Sequence, residues 1–359
     1  MSGDLGSKVA AVLPQPTDLE ASLDVELDCL RQEAWLTACL PVDAGGQGWG
    51  TQSEGAMAAF DALRMLGRSD LSLARLFEGH MNAVKLVQLY GSTALKDAIW
   101  REVTGGALLG VWGADDPSAS VRLEVDGDRL SLSGAKRFAS GLGSVRHAII
   151  VAATDEGGQL VVIPADEPER ADPSTWRMAG MRATRSGRYV VDGLTVPAMY
   201  RLGAPDDLLR EPYFEGGIWR YCAAHLGGAE ALYDVMRDHL CDLNRQSDSV
   251  QGRRIAKASI AIETARLWLV RAATEIEMAD AAPGKAALAL LAREVTERCC
   301  RDVMDLTERA LGMAAHEEGS RIDQLRRDLG LFLCQATPDA KLARATDALI
   351  ARRVRPELL

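Results

Sequence analysis

Residues 130–154, LSLSGAKRFASGLGSVRHAIIVAAT, decide how this chain is read. Leu130–Ser133 alternates apolar and polar residues, the period-2 pattern of a half-buried strand. A Gly134-Ala135-Lys136 corner follows. Then come a small-residue turn, Phe138-Ala139-Ser140-Gly141, and the apolar strand His147–Ala153. Small residues at a turn between strands let a planar ligand approach the backbone closely. The same residues also make an ordinary β-corner, and the stretch alone leaves both readings open.

Working outward, short apolar or alternating runs fill Ala107 to Pro197: ALLGVW, SVRLEV, RLSLSG, HAIIVAA, QLVVIP and RYVVDGLTV. Turn formers separate them, namely Asp115-Asp116-Pro117, Asp126-Gly127, Glu156-Gly157-Gly158 and Pro164. Asp-Gly between alternating runs is a strong hairpin signal. Strands this short and regular, without crossover helices, predict an antiparallel sandwich or barrel over residues 107–199.

On both flanks the period becomes helical. Leu23, Leu27, Leu30 and Trp35 trace a helix over Asp18–Cys39, after a loose lead-in at 1–17. The Gly-rich LPVDAGGQGWG, Leu40–Gly50, follows a helix and not a strand, so it reads as a tight inter-helix turn and not as a phosphate loop. Helical patterns over Glu54–Leu66, Leu71–Tyr90 and Ala94–Val103 complete an N-terminal helical domain, 1–106. His80, inside the second of these, reads as a buried, hydrogen-bonded histidine. After Pro205 and Pro212, Ile218, Tyr221, Cys222, Ala229, Leu232 and Met236 form an apolar stripe. A second helix spans Val250–Ala279, Pro283-Gly284 breaks it, and a third begins at Lys285. Long helices with short breaks predict an antiparallel four-helix bundle over 200–359. The fold class is therefore α+β and multidomain: helices, a β-domain, then a helical bundle.

The composition narrows the function. A net charge of -10 argues against a nucleic-acid backbone as partner. Seven cysteines without a CxxC pair suggest reduced thiols and a cytoplasmic protein, and five scattered histidines suggest no metal site. No basic-then-apolar leader is visible at the start, and no run approaches the ~18 apolar residues of a membrane span.

In this order the segments resemble the acyl-CoA dehydrogenase superfamily. The resemblance takes in the Gly-rich turn at Leu40–Gly50, the Gly-x-Lys corner, GMRATRSGRYVVDGLTVP at Gly180–Pro197, AAHLGGAEALYD at Ala223–Asp234, and Arg327-Asp328-Leu329. It implies a helix–sheet–helix architecture, FAD as cofactor, and acyl-CoA or a related acyl thioester as substrate. It also implies an electron-transfer flavoprotein or other acceptor, and a homodimer or homotetramer with flavin sites at subunit boundaries. By position, Trp112 takes the place of an aromatic near the flavin, Asp115 and Asp116 the places of a Thr-Glu pair, and Phe138 that of an aromatic against the ring. Ser140 takes the place of a hydroxyl at the ring's reactive edge, where a donor stabilises developing charge. Gly312, in Leu311-Gly312-Met313-Ala314, matches a turn touching the dinucleotide, and Arg245 lies near an arginine that reaches a neighbour's FAD. Arg182 suits either a phosphate or carboxylate ligand or a surface ion pair. The chain departs from the family at Ser118-Ala119-Ser120, where Gly-Ser-Asp is usual, at Met313, which replaces a second Gly, and after Arg245, where Phe-Gly is missing.

The largest departure concerns the base. Taking hydrogen from the α-carbon of a thioester needs a carboxylate, and taking hydride from the β-carbon needs a flavin face. The family's Tyr-Glu-Gly-Thr segment corresponds to LFLCQATPD, residues 331–339, which puts Ala336 at the base position. Some members carry the glutamate at the start of the first bundle helix, here near Ile218, and Glu215 stands about one turn earlier. Asp339 is a further carboxylate in reach of the segment. The resemblance thus implies an FAD-dependent α,β-dehydrogenase with Glu215 as candidate base. The alternatives are a flavin monooxygenase of the same fold, which needs no such base, and a non-catalytic binding or assembly subunit.

Overall fold

The computed structural model describes residues 22–245, 247–335, 337–353 and 355. The lead-in at 1–17 and Ala336 lie outside them. Helix α1 (Asp24–Gln32) and the single turn α2 (Trp35–Ala38) replace one continuous helix. Ala34 between them adopts φ 59°, which breaks the ladder. That break drops Trp35 into the core, edge-on to Trp49 at 5.5 Å. Helices α3 (Ala56–Ser69), α4 (Leu71–Tyr90) and α5 (Thr93–Thr104) follow. Asp70 ends α3 in an extended conformation and caps α4, accepting from the Leu73 amide at 2.8 Å.

The strands among the described residues come next: β1 (Leu108–Trp112), β2 (Arg122–Asp126), β3 (Arg129–Ser133), β4 (Ala135–Ala139), β5 (Val145–Thr154), β6 (Gly157–Pro164), β7 (Ala171–Asp172), β8 (Gly187–Val190), β9 (Leu194–Pro197) and β10 (Arg201–Leu202). Seven form one sheet, in the order β10-β6-β5-β2-β3-β9 with β1 also on β5, and β4-β8-β7 form a second. The pairings are antiparallel except that β1 and the first residue of β2 meet β5 in parallel. Alternation within a strand reports burial, not direction, so this feature was invisible in the sequence. The chain passes between sheets at Gly134, φ 99°, where a Cβ would stand 2.5 Å from the Ser120 carbonyl. What reads as a turn at Phe138 is the bulged end of β4, with Phe138 itself at φ 56°.

Helices α6 (Tyr213–Gly216), α7 (Trp219–Asp242), α8 (Ser249–Ile276), α9 (Ala286–Leu311), α10 (Arg321–Phe332) and α11 (Pro338–Arg352) complete the chain. The N-terminal helices share one continuous core with them. Where α3 crosses α7, glycine stands on both sides. A Cβ on Gly67 would lie 2.1 Å from the Ala224 carbonyl, and one on Gly227 would lie 2.0 Å from that of Arg64.

Helix α4 lies at the junction of sheet and bundle and is buried on nearly every side. His80 is its anchor. The Leu109 amide donates to Nδ1 at 3.1 Å, so Nε2 carries the proton and donates to the Leu36 carbonyl at 3.0 Å. Burial lowers this imidazole to about 4, and it stays neutral. The histidine is structural, tying α4 to α2 and β1.

Candidate functional site

A cavity of about 630 Å3 opens where α4, the β4 end, the turn before β8, α6, α7 and the end of α10 meet. Each element reaches it for a local reason. On α4 the residues Arg75, Glu78 and Asn82 recur at helical spacing and form a polar stripe on a largely apolar helix. Arg75 Nη1 donates to Glu78 Oε2 at 2.6 Å, and Asn82 Nδ2 donates to Oε1. The stripe runs on inward. Asn82 accepts from Arg220 at 3.2 Å, and Arg220 donates to Glu277, which also accepts from Lys85 at 2.8 Å and from the Trp219 indole at 3.1 Å. Burial alone would raise the Glu277 carboxyl, but Arg220 and Lys85 hold it below the usual carboxylate range. This network fixes the cavity wall that α4 and α7 share.

The sheet side carries aromatics and hydroxyls. Phe138 is 44% exposed at the cavity and packs edge-on to Trp176 at 6.0 Å. Ser140, Ser186 and Thr184 form a row, 3.0 Å and then 2.8 Å between hydroxyls, and Thr184 donates to the Met181 carbonyl at 2.7 Å. Each hydroxyl has one proton. With the Thr184 proton on Met181 and the Ser186 proton on Ser140, the Ser140 proton remains for a ligand. Trp176 Nε1, buried at the same wall, has no acceptor among the described residues.

Two motifs distant in sequence meet beside this wall. The Met181 amide donates to Asp328 Oδ1 at 2.5 Å, and Gly180 lies so close to α10 that a Cβ would meet the Arg327 carbonyl at 2.3 Å. Burial raises the Asp328 carboxyl to about 6. The contact holds Met181 at φ 56°, on the cavity.

Of the residues that the resemblance singled out, Phe138, Ser140 and Glu215 line the cavity. Trp112 does not. Val111 and Gly113 face the cavity, so the alternation of β1 turns Trp112 into the core, where its indole donates to the Ser140 carbonyl at 3.0 Å. Asp115 is taken up internally. Its carboxylate accepts from the fully buried Lys136 and, at 3.1 Å, from the Val121 amide. Asp116 accepts from Ser118 and Arg188, which hold its carboxyl well below the usual range. Arg245 is exposed on the turn after α7 and pairs with Asp248 at 3.1 Å. Gly312, φ 63°, is the exposed C-terminal stop of α9, a role that favours glycine whatever the function. Asp339 is exposed in the first turn of α11, outside the cavity. Arg182 is exposed, with Nε 3.4 Å from the Met178 carbonyl.

Glu215 sits in α6 at 9% exposure, with Oε2 2.6 Å from Lys341 and Oε1 2.9 Å from Arg344, both on α11. From the run expected to carry the base, Cys334 and Gln335 line the cavity. The sequence reading missed Trp176, Ser186, Arg75 and Glu78. Arg75 and Glu78 had a signal, a charged stripe within a largely apolar helix. The hydroxyls had none, because only the fold brings 140 to 186. Among the described residues no three His, Cys, Asp or Glu side chains converge on a metal position, and no helix is long and apolar enough to cross a membrane.

No family model matches the chain. It is 22% identical over 313 residues to a probable acyl-CoA dehydrogenase, YngJ, of Bacillus subtilis, covering 81% of this chain and 80% of that protein. It is 25% identical over 246 residues to a dibenzothiophene monooxygenase of Rhodococcus erythropolis, covering 61% and 56%. Among solved structures it superposes on FMN-bound TdsC, a dibenzothiophene monooxygenase from Paenibacillus sp. A11-2, with TM-score 0.82 at 18% identity over 98% and 97% of the two chains. It superposes on butyryl-CoA dehydrogenase from Megasphaera elsdenii with TM-score 0.83 at 17% identity over 97% and 96%.

Proposed function

The chain has the fold of the acyl-CoA dehydrogenase superfamily, and from that premise we propose that it works as a flavin-dependent monooxygenase on a largely apolar substrate. One observation carries the reading: among the described residues, both carboxylates that line the cavity are ion-paired. The two that line it are engaged, Glu78 by Arg75 and Asn82, Glu215 by Lys341 and Arg344. The segment matching the family's base segment presents Gln335, a neutral amide. Fold neighbours include FMN-bound TdsC, a dibenzothiophene monooxygenase, as well as glutaryl-CoA and butyryl-CoA dehydrogenases.

The residues present suit a flavin ring. Phe138 and Trp176 make an apolar wall for a planar face, and the Ser140 hydroxyl, which accepts from Ser186, keeps its own proton beside that wall. When bound, the reduced cofactor supplies electrons that activate dioxygen. The protein's part is to orient the substrate, exclude water with the aromatic and methionine wall, and donate at Ser140. Whether the cofactor is FAD or FMN is read by chromatography of the heat-released flavin.

A second reading is α,β-dehydrogenation of an acyl thioester, with an electron-transfer flavoprotein or other acceptor. It is favoured by the position of Glu215 on the cavity wall, and it requires α11 to release that carboxylate. The discriminating experiment records the visible spectrum of flavin-loaded protein, anaerobically, with a panel of acyl-CoA thioesters. The expected result is no bleaching, followed by incorporation of labelled oxygen into an apolar aromatic substrate when reduced protein meets 18O2. Bleaching by a thioester, lost in Glu215→Gln with flavin still bound, would overturn the oxygenase reading in favour of the dehydrogenase.

A further inference from the structure

The charges on the cavity wall do not cancel. Among the described residues its charged lining is Arg75, Arg137 and Lys341 against Glu78 and Glu215. Arg75 pairs with Glu78 and Lys341 with Glu215, each at 2.6 Å. Arg344 also reaches Glu215, and Glu211 meets that guanidinium at 3.0 Å. That leaves Arg137, which pairs with no carboxylate among the described residues. Its guanidinium lies over the Phe138 ring, 4.7 Å from the centroid. The backbone puts it there. Lys136 points inward from β4 to Asp115, so alternation turns Arg137 to the cavity. Phe138 should then turn inward again. It does not, because the register of β4 on β8 shifts between Lys136 and Ala139 and Phe138 adopts φ 56°. Positive φ is an outlier for a bulky residue, and a bulge re-aims side chains. Such strain collects where a ligand is held. Here it sets a cation and an aromatic ring side by side on the cavity.

We propose that Arg137 is the specificity-determining residue of the cavity, and that the substrate is an apolar acid whose single carboxylate pairs with this guanidinium. The proposal deepens the oxygenase reading and rests on it for the identity of the site. Chemistry and charge select the class. An arginine keeps its charge at any physiological pH, and its planar fork matches a carboxylate through two parallel hydrogen bonds. Stacking on Phe138 holds that fork in place before a ligand arrives. The surplus on the wall is one positive charge. A monoanion balances it, a neutral ligand leaves it unmet, and a cation adds to it. The remaining wall, with Trp176, Met178, Phe214, Ile218 and Leu331, is apolar and suits the body of such an acid.

The test is equilibrium dialysis of the purified, flavin-loaded protein with 2-naphthoate and 2-naphthamide, which share a shape and differ by one charge. It is repeated on Arg137→Gln and Arg137→Lys. Expected is about tenfold or tighter preference for 2-naphthoate, narrowing as NaCl is added. Arg137→Gln should bind the two probes alike with its 2-naphthamide affinity unchanged, and Arg137→Lys should recover part of the preference. Equal binding in the unmodified protein, binding of neither probe, or a preference that survives in Arg137→Gln would each overturn the proposal. The comparison on the unmodified protein needs no variant to fold. Flavin absorbance of the same samples tells a substrate carboxylate from a cofactor phosphate. Retention should be equal in the parent and Arg137→Gln, and flavin lost only from the variant would assign the guanidinium to the cofactor and overturn the proposal. The same absorbance separates the two claims. Preference for 2-naphthoate in a parent protein that retains no flavin sinks the oxygenase reading and supports this one, and retained flavin with equal binding sinks only this one.

Discussion

Lys136 carries its ammonium into the fully buried ground between β4 and β5, where the Val151 carbonyl, at 2.6 Å, and the Asp115 carboxylate receive it. Burial works to lower this amine, and Asp115 counters it. The Gly-Ala-Lys corner is therefore a structural rivet, on the same strand as Arg137 and Phe138, which face the cavity. Removing Asp115 would leave a buried cation facing only a carbonyl. Breaking one side of a buried pair costs about 3–5 kcal/mol, and because Asp115 is 34% exposed the lower end or below applies, about 2–3 kcal/mol. Urea unfolding of Asp115→Ala should show that loss, and Lys136→Met in the same chain should recover part of it. A midpoint unchanged in Asp115→Ala would mean that water reaches Lys136. At this scale the sequence was legible only in residue type. Ser140, Phe138 and Glu215 reach the cavity, while Trp112 and Asp115, equally suggestive as letters, spend their polar atoms on the scaffold.

Among elements, helix boundaries were easy to read where a local signal marks them. Leu71–Tyr90 runs as the periodicity predicts, with Asp70 as its cap, and Ser249–Ile276 and Ala286–Leu311 flank the Pro-Gly break. The crossing of α3 on α7 was legible on one side only: the small residues of Ala223–Asp234 suit a close helix approach, whereas Gly67 reads alone as a weak point in a helix. Gly67→Ala tests that crossing. Its methyl would meet a backbone oxygen that cannot rotate away, so the helices must separate, at about 1–3 kcal/mol. A thermal midpoint equal to that of the unmodified protein would show that α3 gives way freely.

At the scale of the molecule, buried groups such as His80, His225 and Asp328 bind protons differently in the folded and unfolded states. His80 and His225 fall from 6.5 to about 4 and about 3. Below pH 6.5 the unfolded chain takes up protons that the folded one refuses, so stability is lost as pH falls from 6.5 toward those values. Asp328 has the opposite sign. Its carboxyl rises from 3.8 to about 6, so its contribution is present below 3.8 and is lost as pH rises through 6. Asp328→Asn retains an oxygen for the Met181 amide and removes the charge. The variant should gain on the order of 2 kcal/mol at pH 7 and then lose stability more steeply than the parent between pH 6.5 and 4. Parallel urea midpoints across that range would exclude Asp328 as a group coupled to folding.

By itself the sequence determined the succession of helices, strands and helices and the residue types around the corner at Gly134, because periodicity, caps and turn residues are local properties of the chain. Its departure at residues 331–339 already pointed away from a glutamate base. The tertiary structure decided which of those residues share a cavity. A strand's alternation turned Trp112 inward, and an ion pair from α11 occupied Glu215. Folding joined Ser140 to Ser186, Met181 to Asp328 and Tyr221 to Arg293. Those pairings depend on which surfaces pack, and packing is settled by the whole core at once.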